Sequence, residues 1–155
     1  MIREATDADF AAVIAGRAPE GLELPDGPIE SSEVLGMLRE LAQGIRTDFA
    51  PSSWFIIDGA EIVGLCSLVK PPAGSAIDIG YGIVASRRAR GFASAGVTAL
   101  LAWARQDERV AVVRAECAVD NPASRKVLER NGFAQVGQRI DPEDGPVICW
   151  EAAAS

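Results

Sequence analysis

Residues 79–103 carry the feature that most restricts how this chain can fold: a strand-like run, a basic turn and an apolar helix in direct succession. The strand-like run ends at Val84, and Gly91 precedes a helix that begins at Phe92. Glycine permits close approach of a ligand, and the free N–H groups of a first helical turn lie at the positive end of the helix dipole. The turn also holds Arg87, Arg88 and Arg90. It predicts either a phosphate-binding site or a solvent-exposed basic turn before an ordinary helix.

The turn differs from the two common nucleotide-binding motifs. Gly80 and Gly82 imitate a dinucleotide fingerprint, but they fall inside the strand-like run, whereas the fingerprint needs glycines in the turn that opens the helix. A P-loop needs Gly-Lys-Ser/Thr at the helix start, and residues 91–93 are Gly-Phe-Ala. Neither motif is therefore predicted here.

Composition indicates a globular enzyme-sized domain. The chain has 155 residues, 48% of them hydrophobic and 24% charged, which fits one domain over residues 1–155. We find neither a signal peptide nor a membrane-length apolar run, so we expect a cytoplasmic protein with no membrane partner. The net charge of −7 argues against nucleic acid as a partner and favours cationic substrates such as amines.

The residue types available limit the chemistry. The sequence contains no histidine, which excludes imidazole bases, histidine metal sites and Ser-His-Asp triads. Cys66, Cys117 and Cys149 are widely spaced in apolar runs, so we expect packing residues and neither a disulfide framework nor a metal site. Any acid or base must then be a carboxylate, a hydroxyl, a thiol, an amine or water.

The periodicity predicts an α+β (mixed α/β) fold with a sheet that contains one parallel strand–helix–strand crossover. A short strand and two helices come first, and Thr6 and Ser31 or Ser32 are the predicted helix caps. A three-stranded antiparallel meander follows, then a helix, a strand parallel to the last meander strand, another helix and two more strands. On the second helix we predict one buried face, formed by Val34, Met37, Leu38, Leu41 and Ile45.

Two motifs in this order resemble the GCN5-related N-acetyltransferases (GNAT), most closely the branch of the ribosomal-protein N-terminal acetyltransferases. Arg88, Gly91 and Ala93 match the Arg/Gln-x-x-Gly-x-Gly/Ala motif of that family. Residues 121–133 match its later helix, Asn-x-x-Ser-x-x-x-Leu-Glu-x-x-Gly-Phe. The resemblance implies a mostly antiparallel central sheet that is flanked by helices on both faces.

The resemblance also implies acetyl-CoA as co-substrate, with the pyrophosphate on the turn and the pantetheine arm along the strand that precedes it. The residues implied to bind it are Ile83, Val84, Arg87, Arg88, Arg90, Gly91, Phe92, Ala93, Asn121 and Ser124. For Asn121 a helix cap and for Ser124 an ordinary first-turn position are the alternatives.

For catalysis the resemblance points to three residues. Many family members carry a tyrosine acid in the later helix where this chain has Leu128, so Ser124 or a bound water would protonate the leaving thiolate. Asp78 matches the acidic strand position that some members use as base, with Glu116 as second choice. The alternatives are an exposed strand carboxylate for Asp78 and, for Glu116, a partner of Arg114 or solvent.

The predicted function is acetyl transfer from acetyl-CoA to a primary amine of a small molecule, an amino acid or a protein N-terminus, by direct attack in a ternary complex. The alternative is a catalytically weak acyl-CoA sensor of the same fold. A homodimer is predicted through an apolar last-strand edge, although ordinary core packing explains the same residues, which are Phe133, Val147, Ile148 and Trp150.

Overall fold

The fold combines seven strands with four helices. The computed structural model describes residues 1–154. The strands are β1 Ile2–Glu4, β2 Ser53–Asp58, β3 Glu61–Leu68, β4 Ala76–Ile83, β5 Val112–Ala118, β6 Ala134–Asp141 and β7 Gly145–Ala153. The helices are α1 Asp7–Ile14, α2 Ser32–Arg46, α3 Phe92–Gln106 and α4 Pro122–Arg130, and a short 3-10 turn spans Ala85–Arg87.

The strands form one sheet in the order β1-β2-β3-β4-β5-β7-β6, which confirms the predicted architecture. Only β4 and β5 run parallel, because α3 carries the chain across the sheet between them. Their pairing ends at Ile79 and Ala115, although β4 continues to Ile83 and β5 to Ala118. The two strands therefore leave an unpaired gap between their carboxyl-terminal ends.

Helices cover the sheet on both faces. On one face α3 and α4 bury a core with Trp54, Ile77, Leu100, Leu128 and Trp150. On the other face the N-terminal part of the chain buries a second core that contains Phe10, Phe55, Leu65 and Val84. Because side chains alternate along a strand, β4 sends Ile79, Tyr81 and Ile83 to the first face and Asp78, Gly80 and Gly82 to the second.

Local signals set the first two helices. Thr6 and Asp9 form a reciprocal capping box on α1, and Ser31 accepts a hydrogen bond from the Val34 N–H at the start of α2. The predicted buried face of α2 is confirmed in part: Ile45 is buried, and Leu38 and Leu41 are partly buried against the cores. Met37 is 63% exposed, and the buried positions are Leu35, Ala42 and Ile45. Polar contacts of Arg39 and Gln43 with Asp7 also join this helix to α1.

An ion pair between Asp7 and Arg39 joins α1 to α2. Arg39 Nε donates to Asp7 Oδ1 at 2.9 Å, and Gln43 donates to the same oxygen at 2.8 Å. The hydrogen bond from Arg39 lowers the pKa of Asp7 to about 2. The pair therefore holds the two helices together at neutral pH and weakens only in strong acid.

The predicted self-association surface is wrong, because its residues belong to the core. Trp150, Ile148, Val147 and Phe133 are each 5% exposed or less. Strand β6 lies at the sheet edge instead, and among its apolar side chains Val136 is 55% exposed and Ile140 is 73% exposed.

None of the helices within residues 1–154 is both long enough and apolar enough to cross a membrane.

Gly64 lets β3 approach the end of β4 closely. A Cβ at position 64 would lie 2.5 Å from the Gly82 carbonyl oxygen and 2.8 Å from Ile83 Cδ1. We therefore expect Gly64→Ala to lower the free energy of unfolding by about 2–3 kcal/mol, as overpacking does. Urea unfolding measures this. The matched control is Gly44→Ala in α2, where a Cβ meets nothing within 4 Å and should raise stability by about 0.5–1 kcal/mol. Equal stability of Gly64→Ala and the parent would contradict the close approach.

Candidate active site

A cleft of about 570 Å³ opens where β4 and β5 separate. Its walls are the end of β4, the basic turn, the first turn of α3 and one side of α4. Eight of the ten residues predicted to bind the co-substrate line it: Ile83, Arg87, Arg88, Gly91, Phe92, Ala93, Asn121 and Ser124. Two motifs that lie about thirty residues apart in sequence thus form one cavity.

Val84 and Arg90 lie outside the lining of this cleft. Val84 is 2% exposed and donates its N–H to the Val63 carbonyl at 2.8 Å, so that N–H is engaged by β3. Backbone groups of a strand alternate between its two neighbours, which turns those of Tyr81 and Ile83 toward the gap. The Val84 N–H is therefore not available to a ligand, which argues against the predicted role of Val84, and the strand backbone that faces the gap is that of Tyr81 and Ile83.

The turn before α3 owes its shape to two left-handed residues. Gly91 has φ +81°, and a Cβ there would meet nothing within 4 Å. Glycine is therefore favoured at this position by the backbone conformation and not by lack of space. Ala89 has φ +61°, which a residue with a side chain adopts only at a cost. The first N–H groups of α3 belong to Phe92, Ala93 and Ser94, all three of which line the cleft and lack acceptors within the helix. These groups favour an anion here.

Because Ala89 holds a left-handed conformation, we expect Ala89→Gly to raise the free energy of unfolding by about 1 kcal/mol. A urea unfolding curve of the variant against the parent measures the change. A loss of stability would mean that the chain does not hold this backbone conformation in solution.

The cations around the cleft differ from those predicted. Arg87 donates to Glu61 at 2.8 Å and to Asp26 at 3.4 Å, so its charge is already neutralised by two carboxylates. The predicted role of Arg87 in binding pyrophosphate is therefore not supported. Arg88 donates only to the Ile83 carbonyl at 3.3 Å and keeps its charge in the cleft.

Two further cations line the cleft that the sequence prediction missed. Lys126 and Arg130 come from α4 and stand four residues apart, which places them on one side of that helix. The sequence could have indicated them, because they follow Asn121 and Ser124 within the same predicted helix. Together with Arg88 they give the cleft positive charge in a chain whose net charge is −7.

A pair of partly buried hydroxyl groups lines the cleft. The Tyr81 hydroxyl and the Ser124 Oγ are 2.8 Å apart, and Ser124 in turn begins α4 under the Asn121 cap, whose Oδ1 accepts its N–H at 3.1 Å. Burial raises the pKa of Tyr81 to about 12, so the phenol stays protonated at neutral pH. The sequence prediction did not include Tyr81. Its signal was its position in β4 next to the gap.

Tyr81 is the only tyrosine in the sequence, so the ultraviolet absorbance of tyrosinate reports on it alone. We expect a titration midpoint near pH 12 in the folded protein and near pH 10 in the unfolded chain. Between these values the unfolded state has released a proton that the folded state keeps, so stability should fall as pH rises. A folded-state midpoint near pH 10 would contradict the buried hydroxyl pair.

The two predicted bases are both held by arginines. Asp78 accepts from Arg114 at 2.9 Å, lies 3.8 Å from Lys70 and has a side chain that is 14% exposed. It points to the face opposite Tyr81, as the strand alternation requires. Asp78 is therefore engaged in an ion pair, which argues against its predicted role as base. It lies directly opposite Arg114 in the pairing of β4 with β5.

Glu116 pairs with Arg139 and not with Arg114, and its side chain is 39% exposed to solvent, so the alternative considered for it is right about solvent and wrong about the partner. Both of its oxygens accept from Arg139 at 2.6 Å, and this contact lowers the pKa of Glu116. A carboxylate with a lowered pKa is a weaker base, so the structure argues against Glu116 in that role.

The cysteines are free, and two of the three are buried, as predicted. Cys149 is the exception: it is partly exposed, and its thiol lies 3.4 Å from Glu116 Oε2. Within residues 1–154 no group of three or more Cys, Asp or Glu side chains is arranged to hold a metal ion.

The residues present fit a CoA thioester. An anion-binding helix N-terminus, a glycine turn and the cations of α4 and the basic turn lie at one end of the cleft, and the unpaired strand edge and the hydroxyl pair lie at the other. A long, polar ligand with a phosphate end and an amide-bearing arm matches this distribution.

Comparison with known proteins agrees with this geometry. The sequence profile described as acetyltransferase (GNAT) domain matches residues 1–134. The protein named uncharacterized N-acetyltransferase YjdG of Bacillus subtilis (strain 168) is 36% identical over 84 residues, which are 52% of this chain and 50% of that protein. The match thus spans about half the length of this curated relative.

Solved structures share the fold over almost the whole chain. The RimL ribosomal L7/L12 alpha-N-protein acetyltransferase in complex with coenzyme A has a TM-score of 0.69 at 23% identity, covering 98% of this chain and 92% of that one. The ribosomal-protein-S5-alanine acetyltransferase of Vibrio fischeri has a TM-score of 0.72 at 15% identity, covering 99% and 92%. At these identities the likeness establishes the fold. Together with the profile match over residues 1–134, it shows that the chain belongs to the acetyltransferase (GNAT) domain family.

Proposed function

We propose that the protein transfers an acetyl group from acetyl-CoA to a primary amine by direct attack within a ternary complex. The observation that carries the proposal is the Tyr81–Ser124 hydroxyl pair, 2.8 Å apart, in the lining of the cleft. A sensor that only binds acyl-CoA needs the anion-binding turn but has no use for a buried, protonated phenol beside it.

In this proposal the chain supplies binding, orientation and proton transfer. The first N–H groups of α3, with Arg88, Lys126 and Arg130, hold the phosphate end of the co-substrate. The backbone groups of Tyr81 and the Ile83 N–H, which face the gap, bind the pantetheine arm along the β4 edge. Acetyl-CoA supplies the activated acetyl group as a thioester.

The hydroxyl pair is the proposed general acid. Because the pKa of Tyr81 is about 12, the phenol holds its proton until a strong base, such as a departing thiolate, is within reach. Ser124 Oγ lies 2.8 Å from the Tyr81 hydroxyl and also lines the cleft, so in this proposal it relays the proton. The proposal also accounts for Leu128, which is fully buried and carries no proton to give. The required hydroxyl comes from β4 rather than from α4.

The acceptor is proposed to be a primary amine of a small molecule, an amino acid or a protein N-terminus. A test measures thiol release from acetyl-CoA with a broad panel of such amines, and acetyl-CoA affinity by calorimetry in parallel. Turnover on any amine supports the transferase. Tight acetyl-CoA binding without turnover on the whole panel favours the alternative, a catalytically weak acyl-CoA sensor of the same fold.

We also propose a cytoplasmic location, because all three cysteines are free. A homodimer stays a prediction, and its expected surface is now the edge strand β6 with Val136 and Ile140. Light scattering at micromolar concentration measures the mass of the parent, and Val136→Lys tests the edge. A monomeric parent would remove the prediction.

A further inference from the structure

A second cavity, of about 280 Å³, lies on the opposite side of β4 from Tyr81, between α1, α2 and the loop that joins them. We refer to it as the α1–α2 groove. Its lining is mainly apolar and includes Val13, Ile14, Leu24, Pro25, Ile29 and Leu35. One carboxylate shares this lining, that of Glu30.

Glu30 stands where the groove meets the cleft. A Cβ built on Gly82 would lie 3.6 Å from Glu30 Oε1, and Gly82 itself lines the cleft. The Glu30 side chain is exposed to solvent, and it takes part in none of the ion pairs or side-chain hydrogen bonds formed within residues 1–154. The three carboxylates considered as bases therefore differ: Asp78 and Glu116 are each held by an arginine, and Glu30 is available to a ligand.

The loop that carries Glu30 is anchored on both sides of the groove. At one point Glu23 donates its N–H to Ala60 O at 2.8 Å and accepts from the Ile62 N–H at 3.0 Å. At another, Asp26 accepts from Ser86 Oγ at 2.6 Å, and this hydrogen bond lowers the pKa of Asp26. These contacts fix the loop against β3 and against the basic turn, which keeps Glu30 above Gly82.

We infer that Glu30 binds the acceptor ammonium at Gly82 and takes its proton, and that the α1–α2 groove holds a hydrocarbon substituent of that amine. The acceptor class is thus a primary amine with a short apolar group, such as an arylalkyl or branched alkyl amine. This inference rests on the proposed function. Its support is the unpaired carboxylate, the glycine that leaves the strand open beside it and the apolar lining that continues from it.

The step balances in atoms and charge. The ammonium gives one proton to Glu30, and the free amine nitrogen forms a bond to the thioester carbonyl carbon. The carbon–sulfur bond breaks, and the departing thiolate receives a proton from the Tyr81–Ser124 pair on the other face of β4. The second proton that the nitrogen loses as the amide forms returns to this pair, and Glu30 releases its proton to water. Glu30 and Tyr81 therefore act from opposite faces of one strand, which separates base from acid by the width of the backbone.

The first test compares Glu30→Gln with Glu33→Gln. Both remove one negative charge from the same short stretch, but Glu33 lies in the exposed first turn of α2, outside the groove lining. We expect Glu30→Gln to lower kcat/KM for the acceptor by about 10²-fold, as loss of a base does, with acetyl-CoA affinity unchanged. Glu33→Gln should stay within about twofold of the parent. Equal values for Glu30→Gln and the parent would overturn the role of Glu30.

Asp78→Asn tests the rival base in the same assay. This variant should weaken the contact with Arg114 and leave kcat/KM for the acceptor close to the value of the parent. A drop of about 10²-fold in Asp78→Asn, together with a normal Glu30→Gln, would return the role to Asp78 and refute the inference.

A second test addresses the groove through the acceptor. We expect kcat/KM for 2-phenylethylamine to exceed that for ethanolamine, an amine of similar basicity, by about 10- to 100-fold. The reason is that the phenyl ring is transferred from water into the apolar α1–α2 groove. Leu24→Asp should erase that preference and favour 1,4-diaminobutane instead, and a thermal melt checks that the variant folds. Equal kcat/KM values of the parent for both amines would overturn the inference that the acceptor carries an apolar group. If no amine is acetylated by the parent, the proposed function fails first, and calorimetry with acetyl-CoA identifies that case.

Discussion

Replacing Tyr81 with phenylalanine should lower the turnover number of acetyl transfer by about 10²- to 10³-fold while acetyl-CoA affinity stays within about twofold. The change removes one oxygen and leaves the ring in place, so the packing of β4 against the core is kept. What is lost is the proton that the phenol holds because burial raises the pKa of Tyr81 to about 12. Steady-state kinetics on a confirmed amine, with calorimetry for acetyl-CoA, measures both quantities.

Ser124→Ala provides the matched comparison, with an expected loss of about 10²-fold in turnover. Because the two hydroxyls are 2.8 Å apart and act as one unit, the double variant should lose little more than Tyr81→Phe alone. Losses that multiply would show two independent roles. A Tyr81→Phe enzyme with parental turnover would remove the phenol from the mechanism and leave a bound water as the acid.

The second large effect is expected from Arg88→Glu, which should weaken acetyl-CoA binding by about 10²-fold or more. Arg88 lines the cleft and has no carboxylate partner within residues 1–154, so its charge is free to bind a phosphate. A charge-assisted hydrogen bond to phosphate contributes about 1.5–3 kcal/mol, and the introduced glutamate adds repulsion. Isothermal calorimetry gives the dissociation constant directly.

Arg90→Glu is the control for Arg88→Glu, since it makes the same change in net charge two residues away at an exposed position outside the cleft lining. It should weaken binding by less than about tenfold, because exposed charges are screened by salt. If the two variants lose affinity equally, the effect comes from the overall charge of the turn, and no specific contact by Arg88 is needed.

Local signals allowed much of the architecture to be predicted from the sequence. The capping box at Thr6, the Asn121 cap of α4 and the alternation in β4 each depend on residues within one element. The parallel pairing of β4 with β5 followed from the helix between them, because such a crossover needs one. These predictions rest on short-range geometry and so did not depend on the rest of the fold.

The site was harder to predict, because its chemistry depends on which residues meet across the sheet. Tyr81 and Ser124 are 43 positions apart in the chain, and no spacing rule brings a strand phenol to a helix serine. Asp78 and Arg114 face each other only in the register that β4 and β5 adopt, and Glu116 meets Arg139 across β7. A carboxylate that looked free in the sequence was therefore neutralised in the fold, whereas Glu30 in a loop was not.

The contacts of Arg87 have a consequence for the order of events in a catalytic cycle. One guanidinium joins Glu61 at the start of β3 and Asp26 in the α1–α2 loop, while its own backbone belongs to the turn that precedes α3. The loop that borders the α1–α2 groove and the turn that borders the cleft are thus both held by the Arg87 side chain. We expect an adjustment of the turn on phosphate binding to reach the loop through these contacts, which favours binding of the co-substrate before the amine. Initial-rate patterns should then follow compulsory-order kinetics, with the amine as the second substrate to enter and its acetylated product the first to leave.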